Sequence, residues 1–427
     1  MLKKCIMLAL AALLLFTGCA SPEASGPTAS AVSHSPATSM QPVSYRTRLQ
    51  PQPITPLDGS FVNGANSFGF AAASKLYAAD ANLALSPVSI ELALCMARAG
   101  AKGDTAAEMA AVLGLGHLTD EQIADACRQL MWRANTGGME AANAAWLLDD
   151  YQYNDDYIRT ITEEYMADLM PFAIPGAMDA VNAWANDKTH GRIDKIMQQE
   201  PDPLTRLILT NALYYLGEWE LPFNANNTAD REFAAPGGSV TVPFMHSSWT
   251  VPYYSDGRFS MISLRFKSNA DEGHYAMAFI LPAKGAAIPD LLASMNGSRF
   301  RDALASMSEQ EVWIRLPKFE FSFFAPLADT LKAMGMQKAF TPDEADFSGM
   351  TDQESLYISS VLHKCYVRID ELGAEAAAAT VVEMTLRGAL IEQPPTFYAD
   401  RPFLFAIYSL EDGAIAFLGA VNNPSAK

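Results

Sequence analysis

Between Glu371 and Gly388 the chain carries a segment that fits two backbone states. It reads Glu371-Leu372-Gly373-Ala374-Glu375-Ala376-Ala377-Ala378-Ala379-Thr380, then Val381-Val382-Glu383-Met384-Thr385-Leu386-Arg387-Gly388. Ala has the highest helix propensity, so the alanine run alone favours an exposed helix. The run stops at a β-branched pair, however, and Pro394-Pro395 follow it. Read with period two, one face carries Ala374, Ala376, Ala378, Thr380, Val382 and Met384. The other carries Glu375, Ala377, Ala379, Val381 and Glu383. Both acidic residues share the second face and the first is small or apolar, which is the alternation of a half-buried strand. The segment can therefore stand as helix or extended loop and is equally competent to join a sheet.

The flanks carry more. Upstream lie Asn82-Leu83-Ala84-Leu85-Ser86-Pro87-Val88-Ser89-Ile90 and Ala99-Gly100-Ala101-Lys102-Gly103-Asp104-Thr105. Val181-Asn182-Ala183-Trp184, Thr210-Asn211-Ala212-Leu213 and Gly217-Glu218-Trp219-Glu220 follow, then Leu316-Pro317-Lys318-Phe319 and Asp346-Phe347-Ser348-Gly349-Met350. His363-Lys364 precedes the two-state segment, and Asp400-Arg401-Pro402-Phe403 and Phe417-Leu418-Gly419 follow it. In this order, over roughly residues 60 to 424, these pieces resemble the serpin family. The resemblance implies one mixed α/β domain with three β-sheets, about eight or nine helices and an exposed reactive-centre loop at about 371–400. The absence of a Pro/Gly-rich linker after residue 60 agrees with a single domain.

It also implies a mechanism. A serine protease attacks the loop as substrate and forms an ester with the residue before the cut. The freed loop then enters the central sheet and carries the trapped acyl-enzyme away, a known case of strand addition and stored-strain release. About ten new backbone hydrogen bonds at roughly 0.5–1.5 kcal/mol each favour insertion by on the order of 10 kcal/mol. Burial of Val382 and Met384 adds about 2 kcal/mol apiece. Ordering opposes this by about 1–2 kcal/mol per residue not already fixed. A hinge without bulk or inward charge is needed, and Glu371, Gly373, Ala374, Glu375, Ala376, Ala377, Ala378, Ala379 and Thr380 supply one. The hinge spacing of inhibitory members places the bait at Arg387 and the scissile bond before Gly388, which suits a trypsin-like pocket carrying an aspartate. Leu390 and Leu386 are the alternatives, because the distance from the bait to Arg401-Pro402 is longer than usual. The rival function is a non-inhibitory binding or scaffold serpin; such members tend to carry bulky or charged hinge residues.

No zinc-protease helix, phosphate-cradling loop, Cys-x-x-Cys or Gly-x-Ser-x-Gly occurs, so no catalytic residue, metal site or cofactor is expected. By resemblance His363 belongs to a shutter with Ser86, Ser89 and Asn211, where it would bond Ser86 and Asn211 beneath the central sheet. Trp184 and Trp219 are expected in the core, with Glu218 and Glu220 solvated.

The net charge of −18 argues against nucleic acid and anionic membrane surfaces. Between Thr119 and Asn135 only Arg128 and Arg133 are basic, so no heparin-like polyanion partner is expected. The partner that the resemblance implies is a serine protease, and the molecule is read as a monomer. Of the five cysteines, Cys95, Cys127 and Cys365 lack metal-ligand spacing and are read as reduced, buried small hydrophobes.

Lys3-Lys4 precede an apolar run from Cys5 to Phe16, then Thr17-Gly18-Cys19. That run is too short to span a bilayer and reads as a signal. Leu15-Phe16-Thr17-Gly18-Cys19 resembles a bacterial lipobox, so residues 1–18 are expected to be a lipoprotein signal peptide with lipidation at Cys19. An ordinary signal peptide cleaved near Ala20 is the alternative. Residues 19–58, rich in Ser, Pro, Thr and Ala, read as a disordered tether, and 59–427 as the serpin domain. The expected location is the extracellular face of the cell envelope, held only by the lipid anchor.

Overall fold

Asp58 starts the first helix: its carboxylate accepts from the N–H groups of Ser60 and Phe61, satisfying two donors that a helix start leaves unpaired. The computed structural model describes residues 54–134, 139–149, 151–215, 217–268, 274–353, 355–374 and 393–426, all within one unit, Ser39–Lys427. The reactive segment 375–392 and the leader through residue 53 lie outside the described residues.

In chain order the elements begin α1 (Gly59–Leu76), β1 (Leu83–Leu85), α2 (Pro87–Ala99), α3 (Gly103–Val112), α4 (Asp120–Ala134), β2 (Met139–Leu148), α5 (Asp155–Glu163) and β3 (Asp168–Phe172). Next come α6 (Ala177–Lys188), β4 (Leu207–Tyr215), β5 (Gly217–Glu218), β6 (Ala229–Ala235), β7 (Gly238–Ser255), β8 (Phe259–Arg265) and β9 (Tyr275–Pro282). The chain continues through α7 (Ile288–Ser294), α8 (Gly297–Ala305), β10 (Ser308–Pro317), β11 (Phe319–Pro326) and α9 (Ala328–Ala333). It ends with β12 (Leu362–Ile369), β13 (Gly373–Ala374), β14 (Thr396–Tyr398), β15 (Phe403–Ser409) and β16 (Ile415–Val421). Nine α-helices are thus present among the described residues.

Two of the three expected sheets are continuous with each other. The long strand β7 pairs with β6, β8 and β10, and joins them to β14, β9, β15, β16 and β1 in one nine-stranded sheet. Its centre is buried on both faces: every residue of β9, β15 and β16 is buried. These strands accordingly read as continuous apolar runs rather than alternating ones. Gly419 is required there, because a Cβ would lie 2.4 Å from both the Leu83 carbonyl and the Phe405 ring.

The third sheet is divided. β3, β2 and β4 form one part, with β2–β3 parallel and β2–β4 antiparallel; β11 and β12 form the other, antiparallel. No ladder joins β4 to β12 among the described residues. In β12, His363, Cys365, Val367 and Ile369 point inward, alternating with Leu362, Lys364, Tyr366 and Arg368. Helix α2 packs against β4 and β16, which places its N-terminus beneath the division. Trp184 and Trp219 are in the core, and Glu218 and Glu220 are exposed.

Candidate functional site

The division between β4 and β12 forms a slot with three levels: a hinge seat at one end, a polar cluster at mid-height and apolar cavities at the other end.

At the hinge end the chain leaves β12 and reverses between Asp370 and Gly373. Gly373 and Ala374 then run antiparallel to Glu218 and Gly217. Gly373 adopts φ +137°, and a Cβ there would lie 2.0 Å from the Gly217 carbonyl, so only glycine fits. The reversal is held from several sides. Trp219 N–H donates to the Leu372 carbonyl at 2.8 Å, its indole N–H to the Asp370 carbonyl at 3.0 Å, and Phe223 N–H to the Glu371 carbonyl at 2.8 Å. Trp219 is itself stacked on Phe266 at 4.5 Å. The Glu371 carboxylate accepts from Lys318 at 2.7 Å and Thr228 at 2.7 Å. Burial opposes its charge, but these two bonds outweigh burial and hold the carboxyl below its usual range. Ala374 is 5% exposed and faces a small void with Tyr215, Val367, Ile407 and Phe417.

At mid-height Ser86 caps α2: its hydroxyl accepts from Ser89 N–H at 3.1 Å. The Ser86 N–H donates to His363 Nε2 at 3.1 Å, and Cys365 Sγ lies 3.1 Å from the same nitrogen. Nε2 must therefore keep its lone pair, and burial pushes the imidazole down to about pKa 4. On the β4 side Ser89 Oγ donates to Asn211 Oδ1, and Asn211 Nδ2 donates to Asn143 Oδ1 at 2.5 Å. Asn143 Nδ2 in turn reaches Met131 Sδ and the Tyr165 carbonyl. Ser86, Ser89, Asn211 and His363 are thus brought together. The expected bond between His363 and Asn211 is not among the described hydrogen bonds: α2 bridges the two strands instead, because they are parted at this level. Sequence reasoning missed Asn143 and Cys365. A lone polar residue inside Ala141-Ala142-Asn143-Ala144-Ala145 was the available signal.

At the far end a cavity of about 180 Å³ is lined by Leu94, Ala97, Leu207, Leu209, Ile358 and Val361, among others. A second, of about 370 Å³, continues along Leu207, Leu209, Phe324 and Leu362. Leu204, Phe324 and Tyr357, three large hydrophobic side chains left exposed, rim these cavities.

Among the described residues no group of three or more His, Cys, Asp or Glu could hold a metal ion, and no helix is long and apolar enough to cross a membrane. The basic residues of α4 are engaged internally. Arg128 pairs with Asp125 and Glu164, and buried Arg133 with Asp412.

A profile described as "Serpin (serine protease inhibitor)" matches residues 63–424. The chain belongs to the serpin family. A serpin-like protein of Thermococcus kodakarensis is 35% identical over 85% of each chain. Intracellular coagulation inhibitor 2 of Tachypleus tridentatus is 31% identical over 83% of this chain and 89% of its own. Among solved structures, the thermophilic serpin tengpin in its native state superposes with TM-score 0.80 at 28% identity, covering 90% of this chain and all of its own. The serpin fold, mixed α/β with nine helices among the described residues, is the one that the resemblance implied. The expected reactive bond at Arg387 and Gly388 and the expected hinge residues Glu375 to Thr380 lie outside the described residues, as does Cys19, the expected lipidation site.

Proposed function

We propose that this serpin is a suicide-substrate inhibitor of trypsin-like serine proteases, acting by loop cleavage, acyl-enzyme trapping and insertion of the loop between β4 and β12. One observation carries the reading: Gly373 and Ala374 already sit antiparallel on Glu218 and Gly217 at the mouth of an unpaired slot. The first step of strand addition is thereby in place, and each further residue has ladder groups on both sides.

Register makes the proposal specific. Carried on unbroken from Ala374↔Gly217, it sets Ala376 opposite Tyr215, Thr380 opposite Asn211, Val382 opposite Leu209 and Met384 opposite Leu207. The two large apolar side chains then meet the apolar cavities, and the one hydroxyl meets the Asn211–His363 level. A non-inhibitory binding or scaffold role finds less support, because the hinge is small and its mouth is open.

Arg387 is the bait, and Gly388 the residue after the cut. No catalytic role falls to His363: its lone pair is taken by a backbone N–H. The protein acts as a monomer, without cofactor or polyanion. It is held outside the cell by a lipid on Cys19 at the end of the 19–58 tether. The test is to incubate the purified protein with trypsin. A complex stable to denaturant, its loss in Arg387→Ala, and a new N-terminus at Gly388 are expected. Ile391 as the new N-terminus would move the bait to Leu390, and cleavage without any stable complex would overturn inhibition.

A further inference from the structure

Asp202-Pro203-Leu204-Thr205 makes a β-turn just ahead of β4, with Asp at the first position and Pro at the second, as such turns favour. Thr205 N–H donates to the Asp202 carbonyl at 2.8 Å, and Leu204 N–H to Asp202 Oδ1 at 2.7 Å. The turn leaves Leu204 in solvent and carries Thr205 inward, where it is 6% exposed and lines both apolar cavities of the slot. Thr205 Oγ1 has no hydrogen-bond partner among the described residues. A buried hydroxyl ordinarily has one, and leaving it unpaired is costly. The side chains that the proposed register brings to this level, Val382 and Met384, offer none.

The surroundings define what would pair with it. The two cavities, about 180 and 370 Å³, share Thr205, Leu207 and Leu209. An apolar cavity of about 150 Å³ is already large enough for benzene. The rim carries one charge of each sign, and both are engaged. Asp202 holds the turn, and Arg206 donates to the Pro203 carbonyl at 3.2 Å with its guanidinium over the Tyr151 ring. The walls thus select neither an anion nor a cation; they suit an apolar body with a single polar group. We propose that the paired cavities bind a small uncharged phenol, its ring against Leu94, Leu207 and Leu209 and its hydroxyl bonded to Thr205 Oγ1. A ring held there takes the space that the proposed register gives to Val382 and Met384, so ligand and inserted loop exclude one another. That exclusion alone rests on the inhibitory reading; the site does not.

The experiment titrates the full chain with p-cresol, toluene and benzoate by calorimetry. p-Cresol should bind about 2- to 10-fold tighter than toluene, the margin of one hydrogen bond, and benzoate should give no signal. Thr205→Val keeps the shape of the side chain and removes the hydroxyl, so it should bring p-cresol down to the affinity of toluene. Ala93→Leu, on the wall of the smaller cavity, should weaken both neutral ligands. In protein cleaved within the loop p-cresol binding should be lost; binding kept after cleavage would count against the inserted register and leave the site standing. No binding of either neutral ligand at millimolar concentration would overturn the proposal. So would equal p-cresol affinity in wild type and Thr205→Val, or benzoate binding as tightly as p-cresol.

Discussion

Ala374→Arg is the sharpest probe of the slot. Ala374 is 5% exposed, and the void beneath it is lined by Tyr215, Val367, Ile407 and Phe417, with Arg368 at its edge. Arg368 is already paired with Asp370 at 2.9 Å, so no carboxylate there is left for a second guanidinium. In the native serpin the new side chain can swing to solvent by giving up the two-residue pairing with β5, at a cost of about 1–2 kcal/mol. In the inserted state no such escape exists, because residue 374 is then fixed by the strand that follows it. An unpaired charge held beneath the sheet costs about 3–5 kcal/mol.

Insertion must pass this residue first, before Val382 or Met384 contributes any burial. Most of the penalty therefore enters the barrier; net of the cost already borne by the native state, about 1–4 kcal/mol slows insertion by roughly one to three decades. Deacylation proceeds at its normal rate, so the protease completes hydrolysis and leaves. Trypsin should cleave the variant as readily as wild type while the denaturant-stable complex falls to a trace on gels. Cleaved wild type should gain heat resistance, and cleaved variant should gain less. Equal trapping by variant and wild type would refute insertion through this hinge.

Three further outcomes are expected. His363 is neutral in the native state with a pKa of about 4 against an ordinary 6.5, so the unfolded chain binds the extra proton between those values. Stability should be full above pH 6.5 and fall by up to about 3 kcal/mol as pH drops to 4; denaturant titrations of wild type and His363→Gln should differ by that slope, and parallel curves would refute it. Glu91 is 0% exposed, its carboxylate oxygens have no hydrogen-bond partner among the described residues, and burial pushes its pKa well up. Its contribution is intact below pH 4.5 and lost as pH rises through the raised value, so Glu91→Met should stabilise by about 1–3 kcal/mol at pH 8 in urea; a loss of stability would count against this. Cys19→Ser should move the protein from the detergent phase to the aqueous phase, whereas wild type found unacylated by mass spectrometry would remove the anchor.

Much of the fold was legible because each motif marks a place where backbone geometry leaves little choice. Ser86-Pro87 is a helix start in which one residue supplies the cap and the next a pre-set φ. Gly373 and Gly419 occur where a Cβ would strike a carbonyl. Other features depend on contacts between distant segments and leave no periodic trace. Asn143 enters the shutter only because β2 lies beside β4. Glu91 was hidden for a similar reason. A single acid in an apolar helix ordinarily lies on the solvated face, and the sequence of α2 does not mark that it lacks one. The expected three sheets were altered by β7, whose length carries two of them into one, and by the parting of β4 from β12.

The parting itself follows from what lines the slot. Polar groups at mid-height are bonded to α2 rather than across the slot: Ser86 serves His363, and Ser89 serves Asn211. Direct closure of β4 on β12 would leave those side chains to find new partners, and an unmatched buried group costs about 1–3 kcal/mol. The apolar end is equally ill-suited to closure, since Leu207 and Leu209 would face Val361 and Leu362 with the cavities between them unfilled. A strand bearing Thr380 at the polar level, and Val382 and Met384 at the apolar one, meets both requirements. In the proposed register the loop of this serpin places them there. In the proposed mechanism the unpaired slot and the composition of the loop are two halves of one sheet, and cleavage is the event that lets them join.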